Sequence, residues 1–313
     1  MKPCFFRENA LGGVTVSYYP IGSWLNSDPF YLIYILRVIV MNYSVLMSVY
    51  AKEDANNLKE AMNSIWNQTV PTNDFVLVCD GPLNKELEEI ISKEKAKHKD
   101  TLNIIRLQEN RGLGAALNTG LKACKNKWVG RMDSDDISLP NRFEKQLELI
   151  KNNPDVSICS AGIEEFGLDN HHSKRICPKD YKDIVKYSKR RCPFNHPTVI
   201  YDKEVILSVG GYNESRRRFE DYPLWIKLLK NGYKAMNSQE VLLKMRVSND
   251  FYSKRGGFNY AKEMIKFRLW MLDIGWINIF EFISISLIHF IVCIIPNNLR
   301  EHIYNKYLHL GTK

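Results

Sequence analysis

From residue 43 onward, short apolar runs alternate with amphipathic stretches. Tyr43–Val49 is an apolar run of strand length that ends at Tyr50. Leu58, Met62 and Ile65 then recur at helical spacing over residues 56–66. Residues 75–78 form a second run, closed by Cys79-Asp80-Gly81-Pro82, and Leu87, Ile90 and Ile91 mark another helix. Residues 102–107 predict a strand, 113–124 a helix rich in Ala and Leu, and 128–132 a strand that runs into Asp133-Ser134-Asp135-Asp136. Strands separated by helical segments predict parallel pairing with helices on both faces of the sheet. Ligands of such sheets sit beyond the carboxyl ends of the strands. Three strands end there in polar residues suited to a nucleotide: Tyr50 with Glu53, Asp80, and Asp133 with Asp135.

The two ends of the chain break this alternation. Within residues 1–40, the apolar run 31–36 is interrupted by Arg37, is too short to span a bilayer and has no small-residue cleavage site after it. Met41-Asn42-Tyr43-Ser44 directly precedes the first strand-like run, so Met41 is the expected natural start and residues 1–40 an upstream extension. At the other end, Glu281 is the single charged residue in 277–295. Trp270, Trp276, Phe280, Phe282 and Phe290 recur near it, and Lys266, Arg268 and Arg300 flank it. That pattern predicts helices lying in a membrane interface, with a buried core helix or a barely sufficient transmembrane helix as alternatives.

Composition narrows the classes. The chain has 313 residues, of which 45% are hydrophobic and 12% aromatic, enough for a substantial core and contrary to disorder. Seven cysteines without a CxxC pair argue against a zinc ribbon or a disulfide framework and fit a reducing compartment. The net charge of +9 is unevenly placed: residues 41–173 sum to −4 and residues 174–313 to +12. No nucleic-acid-reading motif accompanies the basic residues, so nucleic acid is not an expected partner. The basic half, with Arg216-Arg217-Arg218 and the cluster within 174–191, instead suits an anionic lipid surface or a diphosphate-linked ligand.

Four motifs carry candidate chemistry. Asp133 and Asp135 leave a strand end close together, a geometry suited to a hard cation bridging to a diphosphate; an ordinary acidic turn is the alternative. Gly112-Leu113-Gly114 opens a helix, but the third glycine of a dinucleotide fingerprint would fall at Leu117, so that match fails. Glu220-Asp221 precede Tyr222-Pro223-Leu224-Trp225 and read either as a helix cap or as a general base. His196 lies between turn residues in Asn195-His196-Pro197.

Taken together, these residues resemble one family. The order is the Ser48-Val49-Tyr50 strand end with Glu53, then Asp80-Gly81, then Asn110, Gly112, Ala116, Asn118 and Gly120, then Asp133-Ser134-Asp135-Asp136. Asn195-His196-Pro197, Gly210-Gly211-Tyr212 and Glu220-Asp221 before Leu224-Trp225 follow. The pattern, over residues 43–246, resembles the family-2 glycosyltransferases with the GT-A fold, in particular bacterial enzymes that build O-antigen, capsule or exopolysaccharide.

The resemblance implies a Rossmann-like, mixed and mostly parallel α/β sheet flanked by helices, followed by membrane-associating helices. It divides the chain into a transferase domain over 41–250, with a nucleotide-binding part (41–140) and an acceptor part (141–250), and a C-terminal helical region over 251–313. Tyr50 and Glu53 would lie by the nucleotide, Asp80 by the uracil ring, and Arg111 and Gly112 near the diphosphate. Asp133 would lie near the ribose and metal, and Asp135 would ligate Mn²⁺ or Mg²⁺ directly. Asp221 matches the catalytic base, with Glu220 positioning the acceptor, while His196 and Trp225 would line the donor or acceptor pocket. No Gln-x-x-Arg-Trp motif of processive members is present, which favours addition of a single sugar.

The implied reaction is inverting transfer of a hexose from a UDP-sugar, with UDP-galactose or UDP-N-acetylglucosamine favoured, to a glycan on undecaprenyl diphosphate. It would take place peripherally at the cytoplasmic face of the bacterial inner membrane. The alternatives are a sugar nucleotidyltransferase, for which Tyr50-Ala51-Lys52-Glu53 is a poor phosphate loop, and a non-catalytic membrane-surface assembly protein.

Overall fold

A computed structural model describes residues 5–8, 14–17, 41–167, 173–214, 219–247 and 257–295. Residues 1–41 and 42–313 form two separate units. In the first, β1 (Phe5–Glu8) and β2 (Val14–Ser17) pair antiparallel, with Phe5 opposite Ser17. The remainder of the expected upstream extension lies outside the described residues, as do Arg216-Arg217-Arg218 and Arg300.

The second unit opens with the expected alternation: β3 (Tyr43–Val49), α1 (Ala55–Trp66), β4 (Asp74–Cys79), α2 (Lys85–Lys97), β5 (Leu102–Arg106), α3 (Leu113–Ala123) and β6 (Trp128–Asp133). Local chemistry sets the helix starts. The Asp54 side chain accepts from the Asn56 and Asn57 amides at α1, and Asn84 accepts from the Leu87 amide at α2. Glu86 and Glu88 in the first turn of α2, with Lys95 and Lys97 in its last, complement the helix dipole. Every residue of β4 is buried, as expected of a parallel strand covered on both faces. Helix α3 seats tightly on the sheet because a Cβ at Gly120 would stand 2.3 Å from Leu46 Cδ1 and 2.6 Å from Val78 Cγ2.

The second half adds β7 (Ile137–Ser138), α4 (Arg142–Asn152), β8 (Val156–Phe166), β9 (Lys174–Arg175) and α5 (Tyr181–Ser188). A 3₁₀ turn at His196–Thr198, β10 (Ile200–Asp202), α6 (Lys203–Ser208), α7 (Tyr222–Lys230) and β11 (Lys234–Arg246) follow. The strand order is β5-β4-β3-β6-β10-β8-β11-β7, with β9 beside β8. The first four strands are parallel, β10 runs antiparallel to both neighbours, and β8 and β11 pair in parallel. The chain therefore steps outward from β3 to β5 and returns to the other side of β3 at β6, a switch point that opens a crevice at the strands' carboxyl ends. One core joins the two halves, running from Leu46, Val76 and Val78 through Tyr201 and Tyr212 to Leu224, Trp225 and Leu229.

Two further helices follow among the described residues, α8 (Phe258–Asp273) and α9 (Ile279–Ile294). Phe267 and Met271 of α8 join Tyr222, Ile226 and Ile277 in a smaller second core. Asn278 and Glu281 form a capping box at the start of α9. Ile285 and Cys293 face inward, whereas Phe280 is 80% exposed and Ile283, Leu287, Ile288 and Ile291 are exposed as well. The alternative of a buried core helix for 277–295 therefore does not hold. Among the described residues, no helix is long and apolar enough to cross a membrane.

Candidate active site

The crevice is built from strand exits. Tyr50 leaves β3 half-exposed, and the Glu53 amide donates to its carbonyl at 3.1 Å, closing a tight turn. Glu53 accepts from the Asp54 amide at 2.9 Å with one carboxylate oxygen and from the Ser134 hydroxyl at 2.7 Å with the other. The first strand's exit thereby anchors the acidic loop.

Asp80, at the exit of β4, is buried and accepts from the amides of Arg111 at 2.8 Å and Gly112 at 3.0 Å. Gly81 makes the turn possible: its φ is +87°, and a Cβ there would lie 2.7 Å from the Asn110 nitrogen. Asp80 thus shapes the loop that opens α3, a role its position next to a strand end did not reveal. The Arg111 guanidinium reaches Glu214 at 3.1 Å, and Asn118 donates to Glu214 and to the Tyr212 carbonyl, each at 2.9 Å. These bonds tie the 210–214 loop of the second half to the nucleotide side.

Asp133, Asp135 and Asp136 bring one carboxylate oxygen each within 4.8 Å of one another. Burial, then the charges of Asp133 and Glu53, push the Asp135 carboxyl up to about 7. Burial, then the charges of Asp133 and Asp135, hold the Asp136 carboxyl well above the usual carboxylate range, although it accepts from the Arg246 amide at 2.8 Å. Its second oxygen is buried without a partner. Arg246 also donates to the Asp135 carbonyl at 2.9 Å, which pins the loop to the end of β11. A hard cation suits such a donor set: three converging carboxylates repel one another unless a positive charge compensates them, and one buried oxygen is left over. Asp133 and Asp135 were expected to form this group; Asp136 joins it.

Arg131 was not among the expected residues. It lies two positions before Asp133, on the same face of β6, is fully buried and ion-pairs with Asp133. Burial, the largest influence, works against its charge, but Asp133 together with Tyr212 and Asp136 outweighs it and raises its pKa. A charged side chain inside an otherwise buried strand was the available signal for it.

Glu220 and Asp221, in the second half, lie within electrostatic reach of this strand exit. Burial and the Asp221 charge push Glu220 up to about 7, and both Arg131 and Asp133 are close enough to act on it. Asp221 occupies the residue before α7 but makes no side-chain cap bond, so the helix-cap alternative does not hold. One of its oxygens instead receives the Cys192 thiol at 3.6 Å. His196 is half-buried, with Nε2 3.1 Å from the Tyr212 hydroxyl. Burial and then Arg131 hold its pKa well below the usual imidazole range, so the ring is neutral at physiological pH. Trp225 corrects an expectation. It is fully buried, packed against Phe194, His196, Tyr201 and Tyr212, so it supports the ring of His196 from within the core and offers no face to a ligand.

Comparison with known proteins points in one direction. The family model described as glycosyl transferase family 2 matches residues 44–207. A UDP-Gal:alpha-D-GlcNAc-diphosphoundecaprenol beta-1,3-galactosyltransferase of Escherichia coli is 40% identical over 270 residues, covering 85% of this chain and 96% of the relative. An uncharacterized glycosyltransferase of Haemophilus influenzae is 38% identical over 272 residues, covering 86% and 99%. Among solved structures, a mannosyltransferase of Pyrobaculum calidifontis in complex with GDP-Man and Mn²⁺ superposes with a TM-score of 0.58 at 16% identity, over 90% of this chain and 84% of that one. The likeness in structure is one of fold, the GT-A arrangement of a mostly parallel sheet flanked by helices.

Proposed function

The chain belongs to glycosyl transferase family 2 and is a glycosyltransferase; from that premise we propose that it inverts a UDP-hexose onto a lipid-linked glycan with the help of a divalent cation. The observation that carries the reading is the convergence of the Asp133, Asp135 and Asp136 carboxylates at the exit of β6, where one Asp136 oxygen is buried without a partner.

Tyr50 and the loop ordered by Asp80 hold the nucleotide, with Arg111 near the diphosphate. Asp133, Asp135 and Asp136 are the residues that would hold Mn²⁺ or Mg²⁺. When bound, such an ion neutralises the charge that develops on a departing diphosphate. Asp221 takes the proton of the acceptor hydroxyl while that oxygen attacks the anomeric carbon from the face opposite UDP. The carbon–UDP bond breaks as the new carbon–oxygen bond forms, so an α-linked donor gives a β-linked product without a covalent enzyme intermediate. Glu220 positions the acceptor beside Asp221, and His196, held against the Tyr212 hydroxyl, lines the pocket.

The E. coli relative makes UDP-galactose and an N-acetylglucosamine carried on undecaprenyl diphosphate the first substrates to try, within O-antigen or related surface polysaccharide synthesis. A lipid-linked acceptor also accounts for α9, whose exposed row of Phe280, Ile283, Leu287 and Ile291 suits a membrane interface at the cytoplasmic face. The nucleotidyltransferase alternative finds no Gly-rich phosphate loop after β3, where Glu53 is already committed to Ser134.

The test is UDP release from UDP-galactose with Mn²⁺ and the lipid-linked acceptor. Release should require acceptor and should vanish with chelator and in Asp135→Ala. Normal turnover in Asp221→Asn would remove Asp221 as the base.

A further inference from the structure

The stretch matched by the family model ends at residue 207, before the Glu220-Asp221 pair. What holds that pair therefore draws on chain beyond that stretch as well as within it. Its entry is Phe219, which has a φ of +59° and is the one non-glycine residue with positive φ among those described. A side chain with a Cβ is disfavoured in this left-handed conformation, so surrounding contacts must impose it.

Those contacts come from α8. The Phe219 ring packs edge-on against Tyr260, with centroids 5.5 Å apart, and lies nearly parallel to Phe267 at 6.0 Å. On the other side of the pair, Tyr222 packs against the same Phe267 at 4.8 Å and donates its hydroxyl to the Ser188 carbonyl at 2.8 Å. The next residue of α8, Arg268, is buried and donates to the carbonyls of Lys189 at 3.0 Å and Arg190 at 2.7 Å. That fixes α8 to the segment leading to Cys192, whose thiol meets Asp221. Both residues that flank Glu220-Asp221 are thus held by one aromatic side chain, on a helix anchored by the neighbouring arginine.

We propose that Phe267 of α8 is a positioning residue for the Glu220-Asp221 pair: its ring, wedged against Phe219 and Tyr222, holds the left-handed turn that aims the two carboxylates at the acceptor. The C-terminal helices then serve the chemistry as well as any membrane contact. The inference rests on reading Glu220-Asp221 as the catalytic pair. It concerns only how the pair is held, since Phe267 touches neither the nucleotide loops nor the acidic cluster in any contact described above.

The experiment uses the full chain and measures three quantities on each variant: kcat for UDP release with acceptor, KM for the UDP-sugar, and UDP affinity by calorimetry with Mn²⁺. Misplacing a catalytic group by about an ångström costs on the order of a hundredfold in rate. Phe267→Ala should therefore lower kcat by about tenfold to a hundredfold while KM and UDP affinity stay within about twofold, and Phe267→Leu, which keeps most of the volume, should recover much of the loss. Unchanged kcat in folded Phe267→Ala, or a parallel fall in kcat and UDP affinity, overturns the proposal. Should Phe267→Ala fail to fold, Phe219→Gly decides. Glycine accepts the positive φ but loses the anchoring ring, so a selective fall in kcat supports the proposal and full activity refutes it. Asp221→Asn separates the two levels: normal turnover there removes the catalytic reading, whereas an inactive Asp221→Asn beside a fully active Phe267→Ala removes only the positioning inference.

Discussion

The crowding of carboxylates makes the stability of the cation-free protein depend on pH. Asp135 is raised from an ordinary value of 3.8 to about 7 and Glu220 from 4.5 to about 7, both chiefly by burial. An acid with a higher pKa folded than unfolded holds its proton more tightly in the native state. Folding therefore takes up protons between about pH 4 and 7, and stability falls as pH rises through that window, levelling off above it. At about 1.36 kcal/mol per pH unit, Asp135 alone accounts for a loss of about 4 kcal/mol and Glu220 for about 3 kcal/mol. Because the neighbouring carboxylates titrate together, about half the combined figure is expected, roughly 3–4 kcal/mol over the window. The assay is urea unfolding at a series of pH values, with chelator and with Mn²⁺. With Mn²⁺ at about 100 times its dissociation constant, stability at pH 8 should recover by about 2.7 kcal/mol, and at pH 5, where protons compete for the same oxygens, by much less. Asp135→Asn should make the chelator curve shallower, leaving the part due to Glu220, and abolish the Mn²⁺ effect. A stability that is level from pH 5 to 8 in chelator, or a Mn²⁺ gain equal at both ends, would show that these carboxylates are neither crowded nor cation-binding.

Two further outcomes follow from single contacts. In Asp80→Asn, one carbonyl oxygen replaces two carboxylate acceptors facing the Arg111 and Gly112 amides, at about 1.5–3 kcal/mol for each charge-assisted bond. Unfolding free energy should fall by about 2–3 kcal/mol and UDP affinity with it; a change below about 0.5 kcal/mol on the linear-extrapolation scale would show that the loop holds its shape unaided. Gly120→Val drives branched carbon into Leu46 and Val78 at 2.3 and 2.6 Å, an overpacking that costs about 1–3 kcal/mol and should appear as a lowered melting temperature.

The alternation of strands and helices from Tyr43 to Asp133 is legible in residue order, because side-chain periodicity is local and each strand there is bounded by turn residues. Residue order also determined which acids stand at strand ends, since a carboxylate just after an apolar run needs no partner to be noticed. The order of motifs was enough for the family. The second half was less legible. β8 and β11 pair over most of their length across a long sequence separation, with register shifts between Asn237 and Leu243, and no local period records which strand lies beside which. Only the tertiary structure, by placing β6 beside β3, brought Ser134 to Glu53. It alone brought Glu220, from the second half of the chain, within electrostatic reach of Arg131 and Asp133. It also turned Asp80 onto the amides of residues 111 and 112 and sealed Trp225 in the core. Hydrogen bonds and buried charges act over a few ångströms whatever the distance along the chain, so these assignments waited on the fold.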